Sequence, residues 1–178
     1  MRIISGIHKG RRIIAPKNLP VRPTTDRAKE ALFNILQHQI TFETLSILDL
    51  FAGIGSISLE FASRGATTVV AVDQHPKCAR FISATAATLQ LPISVIKQEV
   101  TTFIHRNQQN FDVVFMDPPY AFTEKNYMEL MEAVFENPAT TNAILIVEHD
   151  ANHNLKTYPN FIESRNYGNS TFSFFIKK

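Results

Sequence analysis

The sequence predicts an α/β domain: a mainly parallel sheet with helices on both faces, preceded by a small basic extension. Three observations carry that expectation. From residue 45 onward five apolar segments, "LSILDLF", "TTVVAVD", "ISVIK", "FDVVFMD" and "NAILIVEH", alternate with stretches of helical character. Strands in such an alternation pair in parallel and need helices over both faces of the sheet. The end of the chain, "NFIESRNYGNSTFSFFIKK", reads as two strands joined at Tyr167-Gly168-Asn169, an antiparallel hairpin. The first part of the chain, by contrast, is basic and interrupted by Pro16, Pro20 and Pro23.

In that first part, "RIIS" and "RRIIA" flank "GIHKG" over residues 2–15, the pattern of a hairpin with a basic tip. The prolines keep "KNLPVRPTT" extended. A helix follows, capped by Thr24 or Thr25, with Asp26 at its positive end. Ala28, Ala31, Leu32, Ile35 and Leu36 recur at helical spacing and form one apolar face. Further helices are expected over residues 56–64, 76–89, 100–106 and 124–135. The chain is expected to be one domain over residues 1–178, with 1–44 as the extension and helix and 45–178 as the α/β core.

Composition narrows the class. The chain has 178 residues, 44% of them hydrophobic, which suits a globular protein with a sizeable core. No run approaches the roughly 18 apolar residues of a membrane span, and "MRIISGIHKGRR" does not read as a signal peptide. Cys78 is the one cysteine, so no internal disulfide can form, which fits a reducing cytosol and a cytoplasmic protein. Net charge is +2, yet residues 1–30 hold eight lysines and arginines against two carboxylates, so the rest of the chain is acidic. A basic arm on an acidic body suits a polyanionic partner gripped at one end.

Ligands of a parallel sheet bind beyond the carboxyl ends of its strands. Asp49, Asp73 and Asp117 stand at three such ends, and Gln98-Glu99 follows a fourth. Gly53 and Gly55 form a tight turn after the first strand, where backbone can approach a ligand closely. A dinucleotide site would place a third glycine where Ser58 stands, and a carboxylate at Asp49 repels pyrophosphate. Asp73 lies 20 residues beyond Gly53, a spacing suited to ribose hydroxyls. A ligand with a ribose, positive charge and no need for phosphate is S-adenosylmethionine. Glu99 or the backbone beside it can receive the adenine amino group, and Gln74 and Val100 complete the set.

The segment "VVFMDPPYAF" then acquires a role. Beside a methyl donor, Asp117 and the Pro118 carbonyl can accept both N–H bonds of an exocyclic amino group on a base. The Pro118-Pro119 pair fixes that carbonyl, because proline locks φ. Positive charge grows on the attacking nitrogen, and a carboxylate stabilises it more in the transition state than before it. Tyr120 offers a face for base stacking. The plain alternative is a turn aspartate and a loop aromatic, but four acids at equivalent strand ends are explained more simply by one site.

The sequence here resembles a known family. "DPPY" is similar to the (Asp/Asn)-Pro-Pro-(Tyr/Phe) motif of amino-methyltransferases, and "ILDLFAGIGSISLEFASRGA" to their cofactor loop. "RIISGIHKGRRI", "RPTTDRAKEALFNIL", "IVEH" and "YGNSTFSFF" extend the likeness over nearly the whole chain. Together they resemble the RsmD family, bacterial methyltransferases that modify the 2-amino group of one guanine in 16S ribosomal RNA. The resemblance implies a seven-stranded Rossmann-like sheet with an N-terminal extension. It implies S-adenosylmethionine at Asp49, Phe51, Gly53, Gly55 and Asp73, with S-adenosylhomocysteine as product and no metal. It implies the target amino group at Asp117, Pro118, Pro119 and Tyr120. The RNA, within an assembling small subunit, would be held through Lys9, Arg11, Arg12, Arg22, Thr24 and Arg27 by a monomer. A DNA adenine-N6 or a protein-glutamine methyltransferase could use the same motif, the latter with Asn in place of Asp117.

Other residues have plainer readings. Thr24 also reads as a plain cap, and Arg27 as a partner of Glu30 across one turn. Glu148 ends the fifth strand, where support of the sheet is the simpler reading and a place in the base pocket the other. His149 and His153, four apart, read as a surface helix. Phe172, Phe174 and Phe175 read as packing.

Overall fold

A computed structural model describes residues 1–16, 19 and 24–177. Helices α1 (Asp26–Leu36), α2 (Ser56–Ser63), α3 (Pro76–Leu89), α4 (Val100–Arg106) and α5 (Glu124–Glu136) surround strands β1 (Ser46–Leu50), β2 (Thr68–Val72), β3 (Ile93–Ile96), β4 (Val113–Met116), β5 (Ile144–His149), β6 (Phe161–Tyr167) and β7 (Ser170–Phe175). The seven strands form one sheet in the order β3-β2-β1-β4-β5-β7-β6. Strands β1 to β5 are parallel, and β7 inserts antiparallel between β5 and β6. The order reverses between β1 and β4, which creates the crevice where ligands of such sheets bind.

Successive side chains alternate between the two faces. Leu48, Leu50, Val114, Met116, Leu145 and Val147 pack on one face with α4 and α5, around Phe103, Tyr127 and Val134. Ile47, Val69, Val113, Phe115 and Ile146 pack on the other with α1 and α2, around Leu32, Phe33, Phe42 and Phe61. By the same period of two, Asp49, Asp73, Asp117 and Glu148 all belong to the α1–α2 face at the carboxyl edge. Phe172 and Phe174 join that core, and Phe175 the opposite one.

Helix boundaries agree with the sequence reading to within a residue. Thr25, not Thr24, caps α1, its hydroxyl accepting the Ala28 N–H at 3.2 Å. The histidine spacing misled: His149 is the last residue of β5, and His153 lies in the turn after it. Nε2 of His149 meets Ser173 Oγ at 2.8 Å, and Nε2 of His153 meets the Phe122 carbonyl at 3.2 Å.

The N-terminal ribbon is a short antiparallel pairing of Arg2 with Arg12. It is fastened to the far end of α2. The buried Glu60 carboxylate accepts N–H bonds from Ile4 and Ser5 at 2.8 and 3.0 Å. It also pairs with Arg64 Nε at 2.9 Å and the buried Lys29 Nζ at 3.5 Å. Lys29 in turn donates to the Arg2 carbonyl at 2.7 Å. The Arg64 guanidinium lies 4.6 Å over the Phe33 ring. Gly6, at φ +82°, lies so close to α2 that a Cβ there would sit 1.8 Å from the Ser63 carbonyl.

Candidate active site

A cavity of ≈ 1140 Å³ opens at the carboxyl edge of the sheet, on the α1–α2 face. Its first wall is the turn after β1. Phe51 takes a left-handed φ of 61°, which costs a non-glycine residue on the order of 1–3 kcal/mol. The turn is held there by Ala52 N–H to the Val72 carbonyl at 3.0 Å and Gly53 N–H to Asp73 Oδ2 at 2.8 Å. Gly55, at φ 74°, caps α2 in a conformation that suits glycine. A Cβ on it would also come within 3.0 Å of Ile82.

Asp49 lies beneath this turn and is 1% exposed. Its Oδ2 accepts the Ser58 N–H at 3.0 Å and the Ser58 hydroxyl. Burial pushes its pKa up to about 7 against the lowering effect of the Ser58 bonds, and Asp73 and Glu148 add to the rise. Asp73 accepts the His75 N–H at 2.7 Å on its other oxygen, leaving lone pairs on both. Ser56, the first residue of α2, has a buried hydroxyl with no hydrogen-bond partner among the described residues. Buried carboxylates for a cation, an acid for a ribose and an unmatched hydroxyl at a helix N-terminus fit S-adenosylmethionine.

The stability of the ligand-free protein should therefore fall as pH rises. A carboxyl whose folded pKa is raised favours the fold while protonated, and that advantage disappears between its usual range and pH 7. Asp49→Asn is expected to raise Tm at pH 8 by about 4–8 °C and much less at pH 5. The same variant should weaken S-adenosylmethionine binding at least ~10-fold, read by calorimetry.

The second wall is the segment after β4. Asp117 N–H reaches the Leu50 carbonyl at 3.4 Å, tying this segment to the end of β1. Burial pushes the Asp117 carboxyl well above the usual range, and Glu148 and then Asp49 push the same way. Phe122 N–H closes a turn onto the Pro119 carbonyl at 2.9 Å. Tyr120, at the tip of that turn, is 67% exposed, and Phe122 meets the Phe51 ring edge-on at 5.5 Å. That ring contact joins the two loops.

The cavity brings together Asp49, Phe51, Gly53, Asp73, Gln74, Glu99, Val100, Asp117, Pro118, Pro119, Tyr120, Thr24 and Arg27. Glu99 is already engaged: its carboxylate caps α4, accepting the N–H bonds of Thr101 at 2.8 Å and Thr102 at 2.7 Å. Burial pushes its pKa up, but these bonds outweigh that and hold it below the usual range. Lys9, Arg11 and Arg12 are not at the cavity. They sit on the ribbon at the opposite end of α2, about 12 Å of helix away. Arg22 lies outside the described residues.

Sequence reasoning undervalued Glu148. It is 6% exposed and lines the cavity, with Thr24 Oγ1 donating to Oε2 at 2.8 Å and Ser170 Oγ donating to Oε1 at 2.7 Å. The hairpin turn from Tyr167 to Ser170 lines it as well. The position of Glu148 two residues after a core-facing Ile146 was the available signal.

This sheet order, glycine turn and strand-end carboxylates define the Rossmann-like methyltransferase class. Solved structures agree. The protein yhhF of Escherichia coli has a TM-score of 0.86 at 26% identity, covering 100% of this chain and 98% of that one. A magnesium protoporphyrin IX methyltransferase from Synechocystis, at TM-score 0.66 and 13% identity over 84% of this chain and 78% of that one, shares the fold. A family model described as "Conserved hypothetical protein 95" matches residues 1–176. Ribosomal RNA small subunit methyltransferase D of Haemophilus influenzae is 35% identical over 168 residues, 90% of this chain and 84% of that protein. The protein of that name from Escherichia coli K12 is 30% identical over 162 residues, 89% and 79%. The chain belongs to this family, the RsmD family of ribosomal RNA methyltransferases.

Proposed function

We propose that the protein transfers a methyl group from S-adenosylmethionine to the exocyclic 2-amino group of a guanine in 16S ribosomal RNA. One observation carries this: Asp117, Pro118 and Tyr120 share a cavity with Asp49, the glycine turn and Asp73. The names of the relatives support the ribosomal RNA as substrate.

Asp49 and Ser56 would hold the charged end of the cofactor, and Asp73 its ribose. When bound, S-adenosylmethionine supplies a methyl group made electrophilic by its sulfonium. Asp117 orients the base by accepting one N–H of the amino group. Among the described residues no donor is aimed at the Pro118 carbonyl, so it can accept the other. The amino nitrogen forms the new N–C bond as the C–S bond breaks and sulfur keeps the electron pair. Asp117, its basicity raised by burial, then takes the surplus proton from nitrogen and passes it to water. Tyr120 stacks on a base swung out of its helix.

The substrate is the RNA of an assembling small subunit, met in the cytoplasm by a monomer. No described helix is long and apolar enough to cross a membrane. Thr24 and Arg27 contact RNA at the cavity, where both line the wall, and Arg22 adds a further cation for phosphate. Lys9, Arg11 and Arg12 hold phosphates on the distal ribbon, extending the footprint. The test incubates the protein with labelled S-adenosylmethionine and naked ribosomal RNA, small subunits lacking the modification, DNA, or release-factor protein. Label in N2-methylguanosine of small-subunit RNA is expected. Label in DNA adenine or in a protein glutamine overturns the reading.

A further inference from the structure

We infer that Glu148 selects guanine by accepting its ring N1–H beside the amino group held by Asp117, an inference that rests on the proposed function. The motif cannot make this selection, because amino groups of adenine and cytosine present the same two N–H bonds to Asp117 and Pro118. What distinguishes the bases is the neighbouring ring nitrogen. In guanine it carries a hydrogen; in adenine and cytosine it carries a lone pair. An acceptor beside Asp117 therefore welcomes guanine and repels the other two.

The fold puts Glu148 in that place. Met116 of β4 pairs with Val147 of β5, and the residues that follow on the two strands are Asp117 and Glu148. Parallel neighbours lie about 4.8 Å apart. Phe115 and Ile146 pack in the same core cluster, so Asp117 and Glu148 point to the same face. Both line the cavity. Thr24 and Ser170, from opposite ends of the chain, each donate a hydrogen bond to the carboxylate, at 2.8 and 2.7 Å, and so fix its position at the cavity wall. Two adjacent acids repel each other, and a base edge with adjacent donors relieves that repulsion.

The probe is 2,6-diaminopurine, which keeps the 2-amino group but has a lone pair at N1. Once the labelled guanine is located, small subunits are reconstituted with RNA carrying guanine or 2,6-diaminopurine at that one position. Wild-type protein should methylate the analogue about 100-fold more slowly or worse. Glu148→Gln, whose amide can donate to N1, should narrow the ratio at least ~10-fold, which separates the N1 edge from any contact at O6. Glu148→Asp, which withdraws the carboxylate by one methylene, should narrow it too. Equal wild-type rates on the two bases overturn the inference, as does an undiminished ratio in folded variants. Absence of any guanine label with wild-type protein defeats instead the function on which it rests.

Discussion

Asp117→Ala is expected to slow methyl transfer about 10²–10³-fold while changing the Kd for S-adenosylmethionine by no more than ~3-fold. The effect belongs to kcat because positive charge appears on the amino nitrogen only as the new bond forms. A carboxylate waiting at that point, already desolvated and fixed to β1 through its own backbone, needs no reorganisation. Asp117→Asn keeps an acceptor but loses the charge, so its rate should fall between the two. The pH profile gives an independent reading. The Asp117 carboxyl is pushed up by burial and by Glu148, so it loses its proton above the ordinary carboxylate range. Activity should therefore rise with pH through that titration. Asp117→Asn should flatten the rise, measured as single-turnover rates on small subunits.

The second large effect is on stability. Glu60→Ala is expected to lower stability by about 3–5 kcal/mol, with a Tm fall of roughly 10 °C. Glu60 is the shared counter-ion of Lys29 and Arg64 and the acceptor of two ribbon N–H groups. Without it, the buried Lys29 and the Arg64 guanidinium, which lies over Phe33 and Phe42, lose their shared carboxylate. Burial already draws the Lys29 pKa down, with Glu60 as the main opposing influence. The double variant Lys29→Met, Glu60→Leu should be less destabilised than Glu60→Ala alone, since no uncompensated lysine is left. Hydrogen exchange at Ile4 and Ser5 should speed up in Glu60→Ala, because the ribbon loses its fastening. Chemical denaturation of the three proteins checks the order.

The strand and helix order was legible because each core strand is a short apolar run ended by an acid or a turn, and every helix except α2, which follows the glycine turn, starts at a capping side chain. Asp49, Asp73 and Asp117 were legible for the same reason: each closes such a run. Glu148 reads first as support of the sheet because its partners lie far off in sequence, Thr24 124 residues before it and Ser170 22 after it. Glu99 looked like one more acid for the ligand, but "EVTT" is also a helix start, and the cap won. Nothing in the local sequence marks Lys29 and Glu60 as buried. Their burial follows from the ribbon folding onto α2, a long-range contact that helical periodicity does not reveal. The same contact carries Lys9, Arg11 and Arg12 away from the cavity.

The central claim is that Asp117 faces the carbon to be transferred. A crystal structure of the protein with S-adenosylhomocysteine tests it most directly. The account predicts the sulfur over the Gly53–Gly55 turn, the ribose on Asp73, and open space between the sulfur, the Asp117 carboxylate and the Pro118 carbonyl. A sulfur turned toward Glu99, with protein filling the gap to Asp117, would contradict it.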